Sequence, residues 1–267
     1  MAVRYGLLTG IGLLVVAPLI WAVTASLKPL DEVYAYPPSW GVSDPQWSNY
    51  GAAAGRLPLL RFLMNSTLIA VCSVTGAVLT ASMAGYAFAR VPWVGRRWWF
   101  WLLLASLVIP AQVLLMPRFL IFSWLGWVGT YKPLIVPAWL GGGAFNVLLF
   151  RQFFRALPRE YEEAALLDGA SRWQIYRWIM LPQARPALLA AGLLSFVYHW
   201  QAFLDPLIYL SDFRTFPISL GLRMYQSMAG VWGNLLMAAA LMALLPVAIV
   251  FVALQRHLAG GWRLRDA

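Results

Sequence analysis

Six stretches of this chain run for 18 residues or more without a charged side chain: 5–27, 62–89, 98–117, 133–150, 186–204 and 224–255. Nothing else in the sequence narrows the fold so far. A segment of about 20 mainly apolar residues crosses a bilayer as a helix, because a helix satisfies its own backbone hydrogen bonds away from water. The expected spans are 5–27, 62–89, 98–117, 133–152, 186–207 and 234–255. The last run is too long for one span, so its first part, MYQSMAGVWGN, is expected as a loop or surface helix. Residues 119–131 are uncharged but too few to cross, and are expected at the interface. Hydrophobic residues at 61% and charged residues at 11% agree with this reading, since soluble domains carry about 25% charged residues.

With six spans both termini lie on one side. That side would carry Arg4, Arg90, Arg96, Arg97, Arg151, Arg155, Arg159, Arg172, Arg177, Arg185, Arg256, Arg263 and Arg265, thirteen of the twenty basic residues. The other side keeps seven: Lys28, Arg56, Arg61, Arg118, Lys132, Arg214 and Arg223. The basic excess marks the cytoplasmic face, so both termini are expected inside. The net charge of +10 is scattered between apolar spans and forms no dense patch. It reads as topology in a lipid membrane and not as a nucleic-acid surface.

The N-terminus has the layout of a signal peptide, with Arg4, an apolar run and small residues from Ala22 to Ser26. That run exceeds the usual length of about 7–15 residues, so a retained helix is expected. Residues 28–61 hold Pro29, Pro37, Pro38, Pro45 and Pro58 and are expected to form an extended, irregular outer loop. The single cysteine, Cys72, excludes a disulfide framework and reads as a small core residue.

One segment stands apart. Four of the ten acids, Glu160, Glu162, Glu163 and Asp168, fall within EYEEAALLDGASRWQIYRWIMLP, which starts at residue 160. Pro158 suits a first helical position and acids in the next turn complement the helix dipole. Gly169 suits a left-handed C-terminus. Ser171 and Gln174 form a capping-box pattern, so a second helix is expected at once, with Trp173, Tyr176 and Met180 on one face and Pro182 closing it. From charge alone this is a solvated amphipathic connector between the fourth and fifth spans as readily as a docking element.

The spacing Glu163-Ala164-Ala165, Gly169, Ile179, Leu181-Pro182 resembles the EAA motif of the membrane subunits of ABC importers. Weaker matches to the sugar-importer, maltose-type branch extend over nearly the whole chain: Ser26-Leu27-Lys28, Asn49-Tyr50, Asn65-Ser66, Ala84 to Arg90, and Trp200 with Phe203, Leu204, Pro206 and Leu207. The resemblance implies an all-α integral membrane permease of the prokaryotic cytoplasmic membrane. It would be a single domain with six transmembrane helices and a cytoplasmic two-helix coupling loop, residues 156–182, between helices 4 and 5. In that loop Glu163, Ala164, Ala165, Asp168, Gly169, Ile179, Leu181 and Pro182 would meet an ATPase. The implied partners are a second homologous permease, two ATP-binding subunits and an extracytoplasmic solute-binding protein. Two departures stand out. Gln201 replaces the usual Asn after the Trp, and the tail GGWRLRDA lacks the Gly-Lys-Gly-like end that reaches the ATPase in many relatives.

No Gly-Lys-Ser or Gly-Lys-Thr is present: Lys28 and Lys132 are each followed by Pro. A phosphate-cradling P-loop is therefore absent, and ATP and Mg are expected on the partner ATPase, with no cofactor on this chain. All ten acids lie outside the uncharged runs, which argues against a secondary carrier with intramembrane acid sites. His199 reads either as a packing residue beside Trp200 or as a proton relay. Asn65, Gln112, Asn146, His199, Trp200 and Gln201 are the candidates for the translocation path, and helix-to-helix hydrogen bonding is the alternative for each polar one. Gly141-Gly142-Gly143 suggests a kink or close helix approach. The readings that remain are a sugar permease, the same machine for glycerol phosphate, and a stand-alone carrier or channel.

Overall fold

The apolar runs fold as helices, and proline and glycine break several of them into shorter pieces. The computed structural model describes residues 2–227 and 232–260, and among these no strand is present. In chain order the helices are α1 (Ala2–Ser26), α2 (Leu30–Val33), α3 (Ser48–Arg56), α4 (Leu59–Arg90), α5 (Arg96–Ser106), α6 (Leu115–Trp124), α7 (Lys132–Trp139), α8 (Ala144–Ala156) and α9 (Glu160–Leu167). They continue as α10 (Arg172–Gln174), a π-helical stretch (Ile175–Met180), α11 (Leu181–Gln183), α12 (Arg185–Gln201), α13 (Leu204–Tyr209), α14 (Ile218–Ser227) and α15 (Gly233–Gly260).

Four helical segments are long and apolar enough to cross a membrane: Arg4–Ser26, Leu59–Arg90, Lys132–Ala156 and Gly233–Gln255. Two bent pairs bring the number to six if each crosses once. The expected straight span 98–117 falls in one of these pairs. Its legs, Arg96–Ser106 and Ala111–Trp124, meet at 98°, where Pro110 lies extended ahead of a 3-10 turn and supplies no backbone donor. Residues 119–124, expected at the interface, belong to its second leg. The span expected over 186–207 likewise breaks after Gln201 and resumes as α13. The loop expected before the last span is partly α14; residues 228–231 of it lie outside the described residues.

The single domain read from the sequence divides into two compact units, one from residues 1–65 and 216–248 and the other from 66–215 with the remainder of α15. In the first, the segment 28–61, expected as an extended, irregular loop, is in part helical, holding α2, α3 and the start of α4, and buried polar groups tie it down. Lys28 is fully buried. Its ammonium donates to the Ser39 carbonyl at 2.5 Å and Oγ at 2.8 Å, pairs with Glu32 at 3.9 Å and lies over the Trp21 ring. Asn49, also buried, donates to the carbonyls of Ser26 and Lys28, both at 2.9 Å, and accepts from Asn234 at 3.2 Å. Ser26 and Tyr50 share a hydroxyl bond of 2.9 Å. The motif fragments Ser26-Leu27-Lys28 and Asn49-Tyr50 are thus one clamp that closes the end of α1. Tyr225 donates to the Ala53 carbonyl at 2.6 Å, and burial pushes its phenol up to about 12, so it stays a donor at neutral pH. Most of α1 beyond the clamp is bare, with Leu7, Ile11, Leu13 and Leu14 all exposed; lipid or another subunit must cover such a surface.

In the second unit α4 packs along α7 and α8. Ser73 and Thr80 donate to the carbonyls of Leu134 and Ala138 at 3.1 and 3.3 Å, and the Trp139 indole donates to the Cys72 carbonyl at 3.1 Å. These side chains satisfy backbone at a helix that Pro137 interrupts. Gly141, Gly142 and Gly143 all have positive φ, with Gly142 at 66°. A Cβ on Gly142 would collide with the Ala77 carbonyl, so the triplet is both a kink and a close approach.

Asn49→Ala and Asn49→Asp should destabilise the protein alike, by about 1–3 kcal/mol, because each removes the donor to two buried carbonyls. A lowered thermal midpoint in detergent for both variants is the expected result; wild-type stability in Asn49→Asp would overturn it.

Candidate functional site

The acidic segment folds as two short helices with a corner between them. α9 ends at Asp168, and Gly169 turns the chain at φ 80°. Ser171 then caps the second helix: its Oγ accepts from the Gln174 amide at 3.3 Å while its own amide donates to Gln174 Oε1 at 2.7 Å. The expected capping box is present. Pro182 does not close the helix, contrary to expectation. It sits in the first turn of α11, where its missing amide is tolerated, and the chain turns at Ala184 instead.

The expected apolar face is only partly inward. Tyr176 and Met180 are buried together with Ile175, whereas Trp173 is exposed and leans on the Tyr176 ring at 5.3 Å. The buried face packs on Ala81, Tyr86, Phe150 and Phe154 of α4 and α8. Tyr176 exchanges a hydroxyl bond with Ser82 at 2.7 Å and its ring lies 5.4 Å from that of Tyr86.

A second attachment is ionic. Glu162, 7% exposed, forms ion pairs with Arg172 and, at 3.8 Å, with Arg90 at the end of α4. Arg90 also donates to the Phe154 carbonyl through two nitrogens, at 2.9 and 2.6 Å, and to the Leu157 carbonyl. Those carbonyls belong to the C-terminal end of α8, where the last turn has no helical donors. A guanidinium, with five donors in a planar fork, can serve a carboxylate and a helix end together.

The outer surface is the converse. Glu163, Ala164, Asp168 and Gly169 are exposed, and Ala165 alone of the Glu-Ala-Ala triplet is buried. Leu167 is 90% exposed and Trp178 72%. A hollow of about 280 Å³ is lined by Asp168, Gly169, Ala170, Gln174, Trp178 and Ile179. Leu181 is half-buried and Pro182 exposed. Exposed acids thus lie beside bare Leu and Trp side chains on this face.

Comparison with known proteins identifies the group to which this arrangement belongs. Residues 76–264 match the family described as binding-protein-dependent transport system inner membrane component. The chain belongs to this family. It is 32% identical to a sulfoquinovosyl glycerol transport system permease protein of Agrobacterium fabrum, over 91% of this chain and 86% of that one. It is 28% identical to a diacetylchitobiose uptake system permease protein of Streptomyces coelicolor, over 97% and 86%, and 29% identical to an sn-glycerol-3-phosphate transport system permease protein of Brucella abortus, over 94% and 92%. In fold it matches a bacterial ABC transporter involved in the import of the acidic polysaccharide alginate, with a TM-score of 0.83 at 22% identity over 96% of this chain and 95% of that one. The chain is therefore a permease component of an ABC importer and not itself an enzyme.

Several path candidates of this permease are engaged in packing or hydrogen bonds. Asn146 donates to Ser195 Oγ at 3.0 Å and to the Gly142 carbonyl at 2.9 Å, a helix-to-helix link. Asn65 donates to the Phe216 carbonyl at 3.0 Å. Trp200 is buried against Phe196, His199 meets Tyr198 edge-on at 5.2 Å, and Gln201 is exposed at the end of α12. Gln112 alone of the six lines a cavity of about 360 Å³, with Leu115, Arg118, Tyr198, Phe203 and Asp205. Arg118 and Asp205 pair there at 3.4 Å. The sequence marks these two only as charges just beyond the uncharged runs 98–117 and 186–204.

Arg90→Ala should cost about 1–3 kcal/mol, since it leaves two helix-end carbonyls without their donor and takes one of two cations away from the Glu162 carboxylate. Arg90→Lys should recover only part of the loss in thermal midpoint, because an ammonium keeps the charge without the fork; full recovery by Lys would show that charge alone matters.

Proposed function

We propose that this chain is one of two homologous permease subunits of a heteromeric ABC importer and that residues 156–182 are its coupling loop. The observation that carries the reading is the loop's two-sidedness. Ile175, Tyr176, Met180 and Glu162 bind it to α4 and α8, while Glu163, Asp168, Leu167 and Trp178 are left bare. One of two ATP-binding subunits, carrying ATP and Mg, would dock on that bare side, with the Glu163 carboxylate meeting a basic group, and the other would dock on the second permease. The basic excess among the loops puts this side and both termini in the cytoplasm, and an extracytoplasmic binding protein delivers solute to the opposite face. Closure of the ATPases then moves the short helices as levers, since packed elements switch between discrete arrangements.

The solute we propose is a glycoside. Two of the relatives are named for glycosides, and the cavity beside Gln112 and Tyr198 presents Arg118 already neutralised by Asp205, a lining suited to hydroxyl groups more than to an anion. Glycerol phosphate is the second reading, supported by the name of another relative.

The test is to purify the permease with its neighbouring permease, ATPase and binding-protein genes. ATP hydrolysis is then measured with binding protein loaded from a panel of mono- and disaccharides and glycerol phosphates. Stimulation by a neutral glycoside supports the reading, and stimulation by a glycerol phosphate alone moves it to the second. Glu163→Lys and Gly169→Pro should each abolish retention of the ATPase and transport while leaving membrane insertion intact. Normal transport by either variant at normal expression would sink the coupling-loop assignment.

A further inference from the structure

Glu162 and Glu163 are adjacent, yet one is buried and the other exposed, because successive residues on a helix point about 100° apart. Only Glu163 is free to meet another subunit. We infer that Glu162 is the internal latch of the coupling loop: its carboxylate, held between Arg90 and Arg172, transmits displacement of the two short helices to the ends of α4 and α8. This rests on the coupling-loop reading above and deepens it.

Three observations carry the inference. First, Glu162 and Ala165 are the only buried residues of α9, and Ala165 offers one methyl group. Glu162 is thus the one long side chain buried along α9. The aromatic contacts through Tyr176 hold the following helix, and this carboxylate gives α9 a charged link to the body of the unit. Second, Arg172 belongs to that following helix, so one carboxylate also ties the two short helices to each other across the Gly169 corner. They would move as one body. Third, the Arg90 guanidinium spends its remaining donors on the Phe154 and Leu157 carbonyls. A push on α9 therefore reaches the end of α4 and the end of α8 through a single planar group. The Arg172 pair is hydrogen-bonded and holds direction as well as distance, while the Arg90 pair, at 3.8 Å, links α9 to α4 by charge.

Glu162 is accordingly a positioning residue for coupling, distinct from the docking role of Glu163. The test uses the complete importer in proteoliposomes, with binding protein loaded with the stimulating member of the panel above. Glu162→Gln keeps shape and removes charge; Arg172→Gln, at a side chain 42% exposed, attacks the same carboxylate from a position tolerant of substitution. Both variants should retain the ATPase subunits and stimulated hydrolysis, while solute moved per ATP hydrolysed falls at least about fivefold, the lower end of a typical coupling free energy. Glu162→Asp should recover part of that ratio. A wild-type ratio in Glu162→Gln overturns the latch, as does a wild-type ratio in Arg172→Gln when Glu162→Gln has lost the ATPase, since Glu162 would then serve assembly alone. If the wild-type permease itself retains no ATPase, the coupling-loop reading has failed and the latch falls with it, a result distinguishable from retained docking with normal coupling.

Discussion

The Arg90 guanidinium is the interaction on which the second unit's architecture turns. A cation at the end of an apolar helix is costly unless partnered, and this one is enclosed by groups that need donors: the closing carbonyls of α8 and the Glu162 carboxylate. Each component solves another's problem. The end of α8 is capped, the acid is neutralised, and the arginine is kept from lipid by its partners. Two spans and the acidic loop are consequently held in one arrangement by charge and hydrogen bonding, with the aromatic cluster of Tyr86, Phe154 and Tyr176 supplying the apolar contact around it.

The first unit uses the same device at a smaller scale. Lys28 and Asn49 are buried polar residues whose partners are mainly backbone carbonyls of the loop and of the α1 end. Irregular chain has no ladder to satisfy its carbonyls, so side-chain donors take that role. A loop rich in proline is thereby tied down around the two short helices it contains.

The lesson for function lies in which polar residues the fold leaves unspent. Asn146, a path candidate because it is polar in a span, is consumed by Ser195 and Gly142. Trp200 is consumed by packing. Gln112 and Tyr198 come together with Arg118 and Asp205 beside two breaks, at Pro110 and after Gln201, where the sequence reads as continuous. On the loop the motif residues Glu163, Asp168 and Gly169 lie exposed, and the motif passes over Glu162. An acid beside an acid carries no periodic signal of which one turns inward.

Membrane class, helical content, the two-helix acidic loop with its glycine corner and capping box, and the family were legible in the sequence alone. All of these depend on local chemistry: uninterrupted apolar length, backbone sterics at a left-handed residue, and motif spacing along a few turns. The bend at Pro110, the partnering of Arg90 with Glu162, and the spending of Asn146 were decided only in tertiary structure. Each pairs groups far apart in the chain, 49 residues for Asn146 and Ser195 and more for Arg90 and Glu162, or, at Pro110, sets the direction in which one helix leaves another. A polar side chain's partner is chosen by what packing brings within about 3 Å of it, and no linear pattern records that distance.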